Sequence, residues 1–545
     1  MIVAGFLLLF ILQSSAIALR KSNTWDESAH ILAGYAYIEK GMDYLSPLNH
    51  PVFGRLLTAA LPSIFLDLDF EENVRPEGSP ESDFFAYSLK FLYENNVTGG
   101  TVLFLSRFAN IILGAILGIY VFVWSRELWG GTGAYLSLFF YSLSPNILAH
   151  SSLATTDIPI TVFFFISSFY LYRLTKEATP SRILAAGLAL ALAFTSKHTA
   201  FLLIPVLAAS FVLNLKKIPA LRLLSYYASI LAVAYVSIWA IYGFRYHSGS
   251  PGYVPLNWEG FAPSNLMSVI GFFRSIKLLP ESYLFGVAGV VAGTGTGKAA
   301  FLMGSYSSTG WWYYFPIAFL IKTPIPTIIF LIASLLYISR GREGRGRILF
   351  IIFPAAVVFT AMSIQNVNIG LRHILPVYPF VFVLIGFVPL IKTESLRLAK
   401  AVFYTCVLWY AASAAMIFPH QLAYFNELAG GPANGYKYLV DSNLDWGQDL
   451  KSLKVFMDEN KIDKIKLAYF GLSDPKYFGI DYEYLPSYLI LEPVGAKETI
   501  ELKGWFAISA TMLQGVYMRE RDIYSFFRER RPFATVGYSI FIYRF

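Results

Sequence analysis

About eleven apolar segments set the limits on what this chain can fold into. They fall near residues 2–19, 101–124, 133–149, 159–174, 183–195, 200–215, 223–243, 315–339, 348–363, 374–391 and 401–418. A helix needs roughly 17–25 predominantly apolar residues to cross the hydrocarbon layer. Backbone groups at that depth find no water, so a spanning segment is confined to helix unless it closes into a barrel. The expected fold is therefore a polytopic α-helical membrane protein. The segments at 183–195 and 200–215 are short and read as bent or re-entrant. The first segment lacks a basic n-region, although Ala16-Ile17-Ala18 weakly resembles a signal cleavage site. It reads as a retained span, because an acidic motif follows it directly.

Composition agrees with this class. Of 545 residues, 56% are hydrophobic and only 14% are charged, far from the balance of a soluble domain. The net charge of +8 is distributed as topology signals rather than as a basic stripe, so no nucleic-acid partner is expected. The single cysteine, Cys406, lies in an apolar run, which excludes an internal disulfide or a thiolate metal centre.

Lys and Arg in the short loops give the orientation. One set of loops carries Arg126; Arg173, Lys176 and Arg182; Lys216, Lys217 and Arg222; Arg340, Arg342, Arg345 and Arg347; and Lys392, Arg397 and Lys400. The opposite loops hold little beyond Lys197 and Arg372. The first set reads as cytoplasmic, which puts the N-terminus inside and the segments 20–100, 150–158 and 244–312 outside. Residues 1–418 then form a membrane domain that includes the outer loops 20–100 and 244–312. The more polar stretch 419–545 opens on Gly430-Gly431-Pro432, with a helical pattern over 449–457 and strand-like runs at 465–471, 505–511 and 534–544. It reads as a small α/β domain on the outer face.

The outer loops hold the chemistry. Trp25-Asp26-Glu27-Ser28-Ala29-His30 follows the first span, and Asn49-His50-Pro51 and Arg55 lie in the same loop. Neighbouring helical residues point in different directions, so one acid of the pair can face a cavity while the other braces it. Capping is the simpler role for both acids. Asp157, before Pro159, also suits a helix start, and it adds a second outer carboxylate. Lys197-His198, Lys322 before Pro324 and Pro326, and Arg372-His373 add basic groups near the same face. Any one of them could snorkel to headgroups. Together, at membrane depth, they point to a phosphate site. Gly293-Thr294-Gly295-Thr296-Gly297-Lys298-Ala299 evokes a phosphate loop, but Ala299 stands where Ser or Thr is required and no βαβ context surrounds it. It reads as a flexible outer loop. No metal-ligand spacing is diagnostic.

In their order and topology these motifs resemble the GT-C class of membrane glycosyltransferases. The likeness is to the phospholipid-carrier-dependent branch of protein O-mannosyltransferases and aminoarabinose transferases. Asp26-Glu27 resembles the branch's acidic motif, and Thr156-Asp157 resembles its second-loop acid. Asn49-His50-Pro51 is similar to its His-Pro-Pro or Lys-Pro-Pro element, with Val52 replacing the second proline. Gly310-Trp311-Trp312-Tyr313-Tyr314-Phe315-Pro316 through Lys322-Thr323-Pro324, and Arg372-His373-Ile374-Leu375-Pro376, resemble segments of bacterial and archaeal members. The likeness covers roughly residues 20–420. Asp441-Ser442-Asn443-Leu444-Asp445-Trp446-Gly447-Gln448-Asp449 resembles a segment of uncharacterised members and brings no role with it. A Trp-Trp-Asp tract like that of oligosaccharyltransferases is absent.

The resemblance implies single-step, inverting transfer of one sugar from a polyprenyl-phosphate carrier to a hydroxyl of a protein, lipid or glycan, outside the cytoplasm. It implies Asp26 as general base, with Glu27 and Asp157 orienting the base or the sugar. His50, Arg55, Lys197, Lys322 and Arg372 would neutralise the leaving phosphate, and His30 and His373 would complete the substrate site. No cofactor is required, and a divalent metal is compatible with the acids. Two other readings are a lipid-sugar transporter or flippase without transferase activity, and an outer recognition domain on a membrane anchor. A flippase has no reason to set paired acids against the phosphate and would favour repeated halves. Eleven spans are excessive for an anchor.

Overall fold

The computed structural model describes residues 1–43, 45, 50–70, 81–249, 255–340, 345–391, 396–487, 502–518 and 521–545. The loop cations Arg342 and Lys392 lie outside them. All eleven apolar segments fall on helices. Among the described residues, seven helices are long and apolar enough to cross a bilayer: Ile2–Arg20, Gly99–Ser142, Asp157–Leu174, His198–Leu215, Ala220–Ile241, Leu371–Leu390 and Arg397–Met416. The pair Tyr314–Lys322 and Ile325–Ser339, bent by 112°, makes an eighth if it acts as one span. Pro180–Ser196 and Ile348–Ile364 are shorter apolar helices.

Two expected spans, 101–124 and 133–149, merge into Gly99–Ser142, whose helical geometry breaks at Gly130 with φ 78°. A β-carbon makes that backbone costly, so glycine permits the reversal. Beyond it the second arm runs back along the first, and the Ser125 and Ser137 hydroxyls meet at 2.8 Å. Trp124, fully buried, fills the bundle centre between Phe165, Tyr172 and Phe380. The bend after Lys322 follows from Pro324 and Pro326, which remove backbone donors. Side-chain amides satisfy carbonyls there. Asn426 donates to the Leu320 and Thr323 oxygens at 2.7 and 2.8 Å, and Asn146 donates to the Lys322 oxygen at 2.8 Å.

The glycine-rich stretch departs from expectation. Rather than a loop, it closes the helix Glu281–Thr296, because the apolar run ahead of it continues helically into the glycines. It then leads into a two-stranded hairpin, β1 (Ala300–Leu302) and β2 (Ser305–Ser307).

The C-terminal region holds a five-stranded mixed sheet. Its strands are β3 (Ile465–Ala468), β4 (Tyr482–Tyr484), β5 (Trp505–Ser509), β6 (Ala534–Val536) and β7 (Ile540–Arg544), in the order β4-β3-β5-β7-β6. The central strand β5 runs parallel to β3 and antiparallel to β7. The helix Leu450–Glu459 buries Leu450, Leu453 and Met457, the i, i+3, i+7 stripe that an amphipathic helix lays on a core. Ahead of it, residues 421–443 run as short 3₁₀ turns packed against the membrane helices. Ser442 donates to the Ile369 oxygen at 2.9 Å, and a β-carbon at Gly370 would lie 2.1 Å from its hydroxyl. Only glycine allows that approach.

One buried ion pair ties the Asp26 loop to the bundle. Arg107 donates to both oxygens of Glu27, at 2.7 and 2.6 Å, and both side chains are fully buried. Arg107 also reaches the backbone oxygens of Ala18, Lys21 and Ser22. Glu27 accepts further bonds from the backbone N–H groups of Ala154 and Thr24 and from the Thr24 hydroxyl. Every charge and lone pair that desolvation would penalise has a partner, the condition for such a pair to persist. Replacing Arg107 by Met should therefore cost about 3–5 kcal/mol, because Glu27 is left buried and uncompensated. Thermal melting of the purified variant in detergent checks this, and a midpoint equal to wild type would show that the pair holds nothing together.

Candidate active site

Asp26 sits in the turn between the first span and the helix Glu27–Lys40. Glu27 is turned inward to Arg107, and Asp26 faces the other way. Its side chain keeps about a quarter (24%) of its exposure and lines a cavity of about 470 Å³. Arg372 donates to Asp26 Oδ2 at 2.7 Å and lies 3.9 Å from Asp157 Oδ2. Lys197 in turn holds Asp157 Oδ1 at 2.7 Å, and Thr155 donates to Oδ2 at 3.2 Å. The result is a line of alternating charge: Asp26, Arg372, Asp157, Lys197.

Separate elements deliver these groups to one place. Lys197 follows the helix Pro180–Ser196 in extended backbone, which turns its stem toward Asp157. Arg372 starts the 3₁₀ turn Leu371–Val377. Its guanidinium lies over the Trp446 ring at 4.2 Å from the centroid, a cation–π contact worth about 0.5–2 kcal/mol. Trp446 belongs to the 441–449 segment. Asn443 Oδ1 in that segment accepts the Leu371 N–H at 2.9 Å, and the Trp446 oxygen accepts the Trp25 N–H at 3.1 Å. The segment thus sets both Arg372 and the residue before Asp26.

His30, His50, Arg55, His198 and His373 also line the cavity. The His30 and His50 rings meet edge to face at 4.8 Å, and His50 Nδ1 shares a hydrogen bond with the Thr156 hydroxyl at 3.0 Å. Arg55 donates to the Leu45 oxygen at 2.6 Å. Asn49, the first residue of the proline-containing motif, lies outside the described residues. Among the described residues, four buried polar atoms here lack a hydrogen-bond partner: both ring nitrogens of His198, His373 Nε2 and Arg372 Nε. Buried polar atoms are normally paired, so these mark room for a polar ligand.

Electrostatics separates the acid from the histidines. Burial would raise the Asp26 carboxyl, but the charge of Arg372, then His30, and the Arg372 hydrogen bond outweigh it and hold it below its usual 3.8. Burial lowers His30 to about 4, opposed by Asp26 and reinforced by Arg55. His50 is also pushed well down, by burial and then by His30 and Lys197. Near neutral pH the carboxylate is charged, these two imidazoles are neutral, and the fixed cations carry the positive field.

Three expected site residues do not line the cavity; one of them, Asp157, is held behind it by Lys197. Glu27 does not line the cavity, being enclosed by Arg107, Thr24 and Ala154. Lys322 does not line it either. Its Nζ donates to the backbone oxygens of Leu422, at 2.7 Å, and Asn443, and lies over the Phe425 ring, in the seam between the broken span and the C-terminal segment. Sequence reasoning passed over Lys298, Trp25 and Gln365, all in the cavity wall. Lys298 was hidden by its glycine-rich neighbours, and its signal was a lone outer cation. Among the described residues no group of three or more His, Cys, Asp or Glu side chains is placed to hold a metal ion.

Residues 92–242 match the family described as "Dolichyl-phosphate-mannose-protein mannosyltransferase". An "Uncharacterized protein" of Aquifex aeolicus (strain VF5) is 28% identical over 191 residues, 33% of this chain and 37% of that protein's length. Among solved structures, ArnT from Cupriavidus metallidurans in the apo state aligns with a TM-score of 0.48 at 12% identity, over 99% of this chain and 97% of that one. The archaeal oligosaccharyltransferase AglB from Archaeoglobus fulgidus, in complex with an inhibitory peptide and a dolichol-phosphate, aligns with a TM-score of 0.44 at 13% identity, over 76% of this chain and 56% of that one. The family match over 92–242 and the motif resemblance point to the same class, the GT-C membrane glycosyltransferases.

Proposed function

We propose that this protein is an inverting glycosyltransferase that moves a single sugar from a polyprenyl-phosphate carrier to an acceptor hydroxyl on the extracytoplasmic face. One observation carries the reading. Among the described residues, a single carboxylate, Asp26, lines a cavity whose other charged groups are the cations Arg55, Lys197, Lys298 and Arg372. That polarity suits a reaction in which a proton leaves one side and a phosphate departs on the other. The Lys and Arg bias of the short loops supports the sidedness.

The acceptor hydroxyl oxygen attacks the anomeric carbon as the bond from that carbon to the phosphate oxygen breaks. The phosphate leaves with the bonding electrons, and the hydroxyl proton passes to Asp26. Arg372 holds Oδ2 and thereby orients the carboxylate, leaving Oδ1 for the proton. The attack and departure occur on opposite faces, so configuration inverts. Arg55, Lys197, Lys298 and Arg372, with the neutral His50, stabilise the charge that develops on the departing phosphate. In a water-poor site such preorganised charge acts strongly. Asp157 holds Lys197 and faces Arg372, positioning both cations. The side chains supply this charge themselves, so the scheme calls on no metal.

Asp26→Asn should lower turnover by about 10²–10⁴-fold while donor binding persists, the usual range for a lost general base. Radiolabelled sugar transfer from a panel of polyprenyl-phosphate sugars measures this; normal turnover in the variant would remove Asp26 from the role. A transporter of the same lipid would retain function in that variant.

Lys298→Ala should weaken binding of polyprenyl phosphate by at least about tenfold, the scale of one lost hydrogen bond to a charged group. Unchanged affinity in a fluorescent-lipid titration would leave Lys298 outside the donor site.

The pH profile offers a third check. The base is lost only as pH falls through a value below 3.8, and His30 titrates near 4. The profile of kcat/KM should therefore be level between about pH 6 and pH 8. An inflection in that window that disappears in His30→Gln would contradict the assignment of a neutral His30.

A further inference from the structure

A second cavity, of about 330 Å³, lies between the helix Glu81–Tyr93 and the C-terminal sheet. Trp25 and Phe85 line both cavities, and Trp25 is the residue before Asp26. Their walls differ in kind. The first is cationic. The second is aromatic, with Trp25, Phe85, Tyr469, Tyr482 and Tyr484, and its lining also includes Ser473 and Asp474. Among the described residues that line it, Lys476 is the one Lys or Arg and Asp474 the one acid, so their charges balance.

The sheet explains the aromatic wall. Side chains two apart on a strand point the same way, so β4 sends Tyr482 and Tyr484 to one side. In the parallel register Tyr484 pairs with Leu467, which joins them, and Tyr469 continues that row. Tyr484 is 42% exposed, a large share for an aromatic lining a cavity. Other contacts fix the surroundings. Trp25 stacks on Phe470 with centroids 5.0 Å apart, the Tyr469 hydroxyl donates to the Gly447 oxygen at 2.6 Å, and the Ser473 and Tyr93 hydroxyls meet at 2.9 Å. Rigid, flat rings with hydroxyls at their edges suit a ligand that has apolar faces and a polar rim. A pyranose has both: axial C–H groups on a face and hydroxyls around the edge. An extended peptide added to the sheet would need the main chain of β4 rather than its side chains.

We infer that this second cavity is an acceptor subsite for an uncharged saccharide, whose hydroxyl passes Trp25 and Phe85 to reach Asp26. The inference rests on the transferase reading above and narrows its acceptor to a glycan. The test uses the full chain in detergent and saturation-transfer NMR with methyl α-glycosides of glucose, galactose and mannose, beside an uncharged Ala-Ser-Thr-Ala peptide. At least one glycoside should bind the wild type. It should bind about tenfold more weakly to the double variant Tyr482→Ala/Tyr484→Ala. The melting midpoint verifies the fold of the double variant; should that fall, Tyr484→Ala alone, at an exposed position, gives the same comparison. Glycoside binding that ignores the tyrosines, absence of any glycoside binding, or tyrosine-dependent binding of the peptide instead would each overturn the proposal. Tyrosine-dependent glycoside binding without sugar transfer by wild type would sink the transferase reading and leave the saccharide cleft standing.

Discussion

The arrangement depends on the burial of Glu27 against Arg107. A carboxylate with no exposure needs its full set of partners, and here they come from three directions: the bundle helix carrying Arg107, the backbone at Thr24, and the backbone at Ala154. With Glu27 fixed inward, the helical turn sets its neighbour Asp26 outward, toward the cavity. The Ala154 bond also fixes the loop that ends in Asp157. Asp26 in the cavity and Asp157 behind it therefore both take their positions from one internal pair. Desolvation makes the pair costly to break but does not by itself make it stabilising. Its contribution is positional.

The cavity inherits a second constraint from Arg372. The guanidinium bridges Asp26 and Asp157 on one side and rests on the Trp446 ring on the other. Arginine suits this place because a planar, weakly hydrated cation can stack and hydrogen-bond at once, which an ammonium cannot. Two acids facing each other would otherwise raise one another's proton affinity. Arg372 between them, with Lys197 behind Asp157, keeps Asp26 charged despite burial.

The membrane architecture was legible because apolar length is a local property. The break after Lys322 was not: 315–339 read as one segment, although Pro324 and Pro326 there remove backbone donors. Asp26, Asp157, Lys197 and Arg372 were also legible, since charge beside an apolar run is conspicuous in one dimension. The division of labour between Asp26 and Glu27 followed from helical geometry, but which acid faced which way needed Arg107, eighty positions on in the chain. The direction of Lys322 depended on the Leu422 and Asn443 carbonyls, which only the folded chain brings near. Segment 441–449 carried no periodic signal. Its polar side chains are buried by partners on other elements, so its pattern belongs to the tertiary structure. Lys298 was lost for another reason: its glycine-rich neighbours imitate a phosphate loop, and rejecting that motif also set aside its cation.

The C-terminal region cannot act as a module merely tethered to the membrane helices. Lys21, at the end of the first span, holds Asp449 at 2.6 Å, and Asp449 also accepts from Ser539 at the end of the sheet. Lys322 binds the carbonyls of Leu422 and Asn443 from within the bundle. Both contacts cross between the membrane helices and the C-terminal region and are buried, so the two parts pack together. Trp446 adds the functional consequence. Arg372, which holds Asp26, rests on the Trp446 ring, so a residue of the C-terminal region forms part of the support of the carboxylate.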